Sequence, residues 1–198
     1  MSDQQAAALA AFEAAGAFLR GHFGYTSGRH GADYLEKFRI LEDPRASGAL
    51  ARMIADQFRP LCPQMVAGPT TGGIILAFEV ARQLSVNAVY VERGDGGGRA
   101  MRRGFQIPPG TRVLIVDDVV TTGGSLAETS ACVRRAGGEV IGLGVLADRT
   151  SGRTATDVPF FACLTVDFPS YAPEECPLCA RGIALDAQRG SRKTVVVR

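Results

Sequence analysis

Val116-Asp117-Asp118-Val119-Val120-Thr121-Thr122-Gly123-Gly124-Ser125 lies between an uninterrupted apolar run, Val113 to Val116, and a segment of helical periodicity. The apolar run reads as a buried strand that Asp117 and Asp118 close. The segment from Leu126 to Ala136 places Leu126, Thr129, Val133 and Ala136 on one helical face, and Gly137-Gly138 ends it. Thr121 to Ser125 therefore joins a strand end to a helix start. Backbone N–H groups at a helix start, with Thr and Ser hydroxyls beside them, form a cradle for a phosphate group. Gly123 and Gly124 let the backbone approach an anion closely. Asp117 and Asp118 lie about one sugar length away, where carboxylates accept hydrogen bonds from ribose hydroxyls and help hold a hydrated Mg²⁺. A phosphate cradle beside diol acceptors reads as a 5-phosphoribosyl site. The alternative is an ordinary strand–helix turn with a capping hydroxyl and solvent-facing acids. A Walker loop is excluded, because no Gly-Lys-Ser/Thr stands at the required spacing.

The same alternation extends in both directions. Met65 to Gly68 reads as a short buried strand, Pro69 to Gly73 as a tight loop and Ile74 to Leu84 as an apolar helix. Ala88 to Glu92 is the next strand, Arg93 to Arg103 a Gly/Arg-rich loop without periodicity, and Val140 to Ala147 a further buried strand. Toward the N-terminus, Gln4 to Arg20 reads as a leading helix, and Asp43-Pro44 opens a helix presenting Leu50, Met53, Ile54 and Phe58 on one face. Continuous apolar strands alternating with helices imply an α/β fold, a parallel sheet covered on both faces. Ligands then bind beyond the carboxyl ends of the strands, where the glycine clusters around Gly72, Gly96 and Gly123 should gather. Gly72 and Gly73 open a helix toward that edge, so free N–H donors face an anion there, unless the loop is only a tight packing turn. Arg149 ends a strand on the same edge. Its guanidinium could pair bidentately with a carboxylate or form a surface pair with Asp148. We expect one domain over residues 1–186, with an N-terminal helix and hood to about 43, an α/β core to about 165 and a C-terminal segment from 166. A basic, loosely ordered tail follows over 187–198.

Composition narrows the class. Hydrophobic residues make up 46% and charged residues 21% of the 198-residue chain, enough for a sizeable core. A net charge of +2 gives no field that would favour nucleic acid or a membrane as partner. No apolar run reaches the roughly 18 residues of a membrane span. The polar N-terminus has no basic leader, so a secretory signal is not expected, and a cytoplasmic location is. The 5 cysteines do not suggest a disulfide framework. Cys132 and Cys163 look like core residues. Cys176-Pro177-Leu178-Cys179 is half of a zinc knuckle. Two thiolates cannot fill a tetrahedral site, so it is an inert turn unless two more ligands arrive, for example from a dimer mate. No metal ligand is assigned on this reading, and His22 and His30 read as structural.

The central motif resembles the PRPP-binding signature of the type I phosphoribosyltransferases, where PRPP is phosphoribosyl pyrophosphate. Over most of its length the chain resembles the orotate phosphoribosyltransferase family. The supporting pieces are Thr26-Ser27-Gly28-Arg29 followed by Tyr34, Gly68-Pro69-Thr70-Thr71-Gly72-Gly73, and Asp148-Arg149. The resemblance implies a type I phosphoribosyltransferase fold, a parallel sheet flanked by helices with a small N-terminal hood. It implies transfer of phosphoribosyl from PRPP to orotate, giving orotidine 5′-phosphate and pyrophosphate in pyrimidine synthesis, by a Mg²⁺-dependent homodimer. Asp117, Asp118, Val119, Val120, Thr121, Thr122, Gly123, Gly124 and Ser125 would bind the ribose 5-phosphate part of PRPP, with Asp117 and Asp118 at the reacting sugar. Thr70, Thr71, Gly72, Gly73 and Arg93 would meet the pyrophosphate, and Thr121 and Arg149 the orotate. The family's Arg-Lys…Lys-x-His loop is replaced by Glu92 to Arg99, where Arg93, Arg99, Arg102 and Arg103 either substitute for it or form a solvated basic loop. Where the family often has Lys in the pyrophosphate loop, Gly72 stands. A phosphoribosyltransferase for another base, or a PRPP-binding regulator without chemistry, are the other readings.

Overall fold

The structure, a computed structural model, describes residues 2–25 and 27–186; Thr26 and the basic tail 187–198 lie outside the described residues. The chain opens with α1 (Asp3–Ala14), whose first turn is capped by Ser2. The helix stops well short of Arg20, because Gly16 turns the chain at φ +63°. Residues 18–20, the end of the expected helix, instead open β1 (Phe18–Gly24), antiparallel to β2 (His30–Leu35). This hairpin is the hood. A short α2 (Phe38–Leu41) leads to α3 (Pro44–Phe58), whose N-cap Asp43 accepts from the Arg45 N–H at 2.8 Å, as the Asp-Pro signal implies.

The core is a six-stranded sheet built from β3 (Met65–Pro69), β4 (Asn87–Arg93), β5 (Arg99–Met101), β6 (Arg112–Val120), β7 (Glu139–Asp148) and β8 (Phe160–Thr165). Its order is β5-β4-β3-β6-β7-β8, parallel throughout except for the β4/β5 edge pair. The crossover helices are α4 (Gly72–Leu84) and α5 (Gly124–Arg135), and a one-turn α6 (Pro177–Ala180) lies near the C-terminal end of the described chain. Side chains alternate across the sheet. Val66, Leu114, Val116 and Leu146 pack with Phe12, Leu50, Ile54, Phe58, Leu76 and Val80 from α1, α3 and α4. Met65, Ala67, Val113 and Ile115 pack on the opposite face with Leu126 and Val133 of α5. Burial on both faces explains why these strands read as unbroken apolar runs.

Two differences from the sequence reading have local causes. The Gly/Arg-rich stretch is a hairpin rather than a loop, because the glycines from Gly94 to Gly98 turn Arg99–Met101 back onto β4. β8 is a six-residue apolar segment, a length at which pattern alone does not separate a strand from a buried helical turn. The topology then fixes where a ligand can sit. From β3 the chain moves outward to β4, whereas from β6 it moves to β7 on the other side. The order reverses between β3 and β6, and a crevice opens beyond their carboxyl ends.

Candidate active site

Both loops singled out in the sequence flank this crevice. Thr70 and Thr71 follow β3 and lead into α4, while Thr121 to Gly123 follow β6 and lead into α5. The capping of the two helices is telling. α1 and α3 carry side-chain caps, but α4 and α5 carry none. In α4 the Ile74 N–H donates to the Thr71 carbonyl oxygen at 3.2 Å, and the N–H groups at the very starts of both helices face the crevice, a geometry suited to anions. Gly123 holds φ +80°, which a side chain would strain. The Thr70–Thr71 peptide is cis.

Asp117 and Asp118 do not close the strand as the sequence implied but lie within β6, which runs on to Val120. They are buried, 6% and 3% exposed, so the solvent-facing alternative does not hold. Burial and the neighbouring Asp118 carboxylate push Asp117 up to about 6, against hydrogen bonds from the Asp118 backbone and the Ser125 hydroxyl. Asp118 is compensated by the residue at the N-cap of α2. Lys37 Nζ lies 2.7 Å from Asp118 Oδ2, and Asp118 Oδ1 accepts from the Val119 N–H at 2.6 Å. The two loops touch directly, since a Cβ on Gly72 would overlap the Asp118 carboxylate. A lysine at position 72 cannot fit in this arrangement, and Lys37 supplies an ammonium to the same carboxylate oxygen.

Arg99 joins the loops. Its Nη1 donates to Thr70 Oγ1 at 3.2 Å and its Nη2 to Ser125 Oγ at 3.1 Å, while buried Nε has no hydrogen-bond partner. Arg93 ends β4 exposed, directly opposite Arg99 in the hairpin register. Arg102 and Arg103 pair with Asp95 and Glu92 instead, at 2.8 and 3.1 Å. Arg99 is thus the arginine of this stretch that reaches both anion loops.

A cleft of about 490 Å³ adjoins the second loop, lined by Thr121 to Gly124, Arg149, Thr150 and Arg153 among others. Arg149 does not pair with Asp148. The Asp148 carboxylate is buried and accepts from Thr150 N and Gly152 N at 2.6 and 3.0 Å, closing the turn that follows β7. The Arg149 guanidinium lies instead over the rings of Tyr25 and Phe168, 4.8 and 5.0 Å from their centroids, and its buried Nε has no hydrogen-bond partner. Cation–π contacts of this kind fix a guanidinium in place, where its fork suits a planar carboxylate. Burial pushes the Tyr25 phenol up, so it stays neutral beside this cation. Tyr34, grouped with Arg149 by the motif, packs on Phe23 at 5.2 Å instead. Another cleft, of about 610 Å³, lies between α1, β1 and Phe168, away from both anion loops.

Lys37, Tyr25 and Phe168 have no sequence signal as strong as the central motif. Tyr25 immediately precedes the Thr26-Ser27-Gly28-Arg29 stretch, and that adjacency is the one available pointer. Lys37 and Phe168 enter the site only through the placing of the hood and of the segment after β8.

The sequence profile of the phosphoribosyl transferase domain matches residues 39–175. Orotate phosphoribosyltransferases of Pelotomaculum thermopropionicum and Caldanaerobacter subterraneus are 46% and 45% identical to this chain over 185 residues, 93% of this chain and 96% of each relative. The crystal structure of orotate phosphoribosyltransferase from Aeropyrum pernix is similar with a TM-score of 0.68 at 30% identity, covering 80% of this chain and 93% of that one. Adenine phosphoribosyltransferase from Rhodothermus marinus is similar with a TM-score of 0.63 at 26% identity, covering 81% and 99%. With a carboxylate pair and two uncapped helices at the switch point, and relatives matched over nearly their whole length, the chain belongs to the phosphoribosyl transferase domain family, among the orotate phosphoribosyltransferases.

Proposed function

We propose that the protein transfers the 5-phosphoribosyl group of PRPP to orotate, releasing pyrophosphate and giving orotidine 5′-phosphate in pyrimidine synthesis. The observation that carries orotate over a purine is Arg149, a cation fixed over Tyr25 and Phe168 at the edge of the Thr121–Gly124 cleft. Its fork suits the carboxylate of a planar base, a group that adenine lacks.

The N–H groups at the start of α5, with the Thr121, Thr122 and Ser125 hydroxyls, would hold the 5-phosphate. Asp117 and Asp118 would accept the ribose hydroxyls. On the other side, Thr70, Thr71, Gly72 and Gly73 with Arg99 would take the pyrophosphate, and Arg93 stands beside Arg99 to add charge. Displacement at the anomeric carbon builds positive charge on the sugar and negative charge on the leaving group. Paired carboxylates near the sugar and arginine with helix N-termini near the pyrophosphate suit that separation, so positioning and electrostatics account for the rate. The buried carboxyl oxygens of Asp117 and Asp118 are a hard donor set that fits hydrated Mg²⁺. When bound, Mg²⁺ would neutralise the leaving pyrophosphate.

The reading extends to a homodimer, for which exposed Ile75 and Phe78 on α4 offer an apolar contact surface. It extends also to the cytoplasm, where free cysteines such as those found here persist. Among the described residues, no helix is long and apolar enough to cross a membrane. The test is pyrophosphate release from PRPP and Mg²⁺ with orotate, uracil or adenine as acceptor. Release with orotate alone supports the assignment, and release with adenine but not orotate would replace it with the other-base reading.

A further inference from the structure

Where the hood hairpin meets the C-terminal segment, four side chains converge that the transfer reaction does not use. They are His22 of β1, His30 of β2, Cys176 immediately before α6 and Cys179 within it. Their ligating atoms all lie within 4.8 Å of one another. His22 Nε2 and His30 Nδ1 are 3.3 Å apart, and Cys179 Sγ is 3.2 Å from His30 Nδ1 and 3.7 Å from His22 Nε2. Cys176 Sγ is 3.5 Å from His22 Nε2. Both cysteines are free thiols.

We propose that these four residues form a structural zinc site of the Cys₂His₂ type. A tetrahedral Zn²⁺ with Zn–N about 2.0–2.1 Å and Zn–S about 2.3 Å has N···N edges of about 3.3–3.4 Å and N···S edges of about 3.5–3.6 Å. The observed separations of 3.3 Å for N···N and 3.2, 3.5 and 3.7 Å for N···S bracket those edges. The ring of His22 is set for this role. Its Nδ1 lies 2.6 Å from the Ile183 carbonyl oxygen, which can only accept, so the proton is on Nδ1 and the Nε2 lone pair faces the cluster. A carbonyl partner behind a ligating histidine is the usual orienting device at zinc sites. His22, His30 and Cys176 are buried, and all four coordination positions come from protein, as in a closed structural site and unlike a catalytic one with an open position. Thiolate donors select zinc over the hard cations of the reaction centre. The two ligands that the Cys-Pro-Leu-Cys stretch lacks come from the hood of the same chain, not from a partner.

The site would staple the hood to the C-terminal segment across a separation of 154 residues. The same hairpin carries Tyr25, which packs on Arg149, so the metal would hold the base pocket's aromatic wall in place without touching substrate.

The test is elemental analysis of untagged protein purified without chelator, with Co²⁺ exchange as an independent readout. The expected result is about one zinc per chain, and for the cobalt form the thiolate charge-transfer and intense visible bands of a tetrahedral sulfur-ligated ion. Cys62→Ser should keep the metal, because Cys62 is exposed and outside the cluster. Cys179→Ala should lose it and melt at lower temperature. Wild-type protein that takes up less than about a tenth of an equivalent of zinc, even after zinc supplementation, and shows no cobalt spectrum overturns the proposal. That result needs no variant, so a misfolded Cys179→Ala protein leaves the test intact.

Discussion

Lys37 Nζ and Asp118 Oδ2 are 2.7 Å apart, an ion pair that fastens the segment following the hood hairpin to the central strand β6. Asp118 is almost fully buried while the Lys37 side chain is 36% exposed, so removing the lysine strands a carboxylate in a poorly solvated position. The partial exposure of Lys37 lowers the cost below that of a fully buried pair. Lys37→Met should destabilise the protein by about 1–2 kcal/mol in urea unfolding and raise the KM for PRPP. Adding Asp118→Asn to Lys37→Met should recover part of the lost stability. Strict additivity of the two changes would show that the pair is not coupled.

Arg99 and Arg93 face each other across a hairpin, but only Arg99 bonds to both anion loops. Arg99→Ala should lower kcat/KM for PRPP by about 10²-fold, the usual cost of losing a preorganised cationic donor. Arg93→Ala should lower it several-fold less. Steady-state kinetics at saturating orotate decide the ranking, and the reverse order would move the pyrophosphate contact to Arg93.

Asp117 is raised to about 6 from an ordinary 3.8, chiefly by burial and next by Asp118. The folded form therefore holds its proton at pH values where the unfolded chain has lost it. The stability it contributes is complete below about pH 4 and is lost as pH rises through about 6. A shift of this size corresponds to roughly 3 kcal/mol at most, shared with Asp118. Asp117→Asn should then melt higher than wild type at pH 7.5, with the gain shrinking toward pH 5. An equal gain at both pH values would mean that Asp117 is not raised.

The sequence made the phosphate loop legible for a physical reason. A buried strand, two acids and a glycine-rich helix start are contiguous, so local pattern carries the whole feature. The same holds for Asp43-Pro44 at the head of α3 and for the apolar strands β3, β6 and β7. What was not legible depends on distant segments meeting. Lys37 reaches Asp118 across 81 residues only once the hood folds over the sheet (118 minus 37). Tyr25 and Phe168 flank Arg149 from opposite ends of the chain. The first strand of the hood is masked in the sequence, because Leu9, Phe12, Gly16 and Leu19 recur at helical spacing although a positive φ at Gly16 ends the helix.

Arg149 acts through shape as much as charge. Arg149→Ala should raise the KM for orotate by about 10–100-fold, corresponding to the loss of charge-assisted hydrogen bonds worth about 1.5–3 kcal/mol. Arg149→Lys should recover little, since an ammonium neither forks nor stacks over Tyr25 and Phe168. An orotate titration at fixed PRPP checks both, and full rescue by lysine would reduce Arg149 to a point charge.

The most direct measurement compares wild-type protein with the Asp117→Asn, Asp118→Asn double variant in orotate consumption with PRPP and Mg²⁺, followed by ultraviolet absorbance, alongside thermal melting. Wild-type protein should consume orotate only when all components are present. The double variant should be slower by about 10³-fold or more, with the melting transition retained. Wild-type turnover in the folded double variant would contradict the assignment of this carboxylate pair to the reacting sugar.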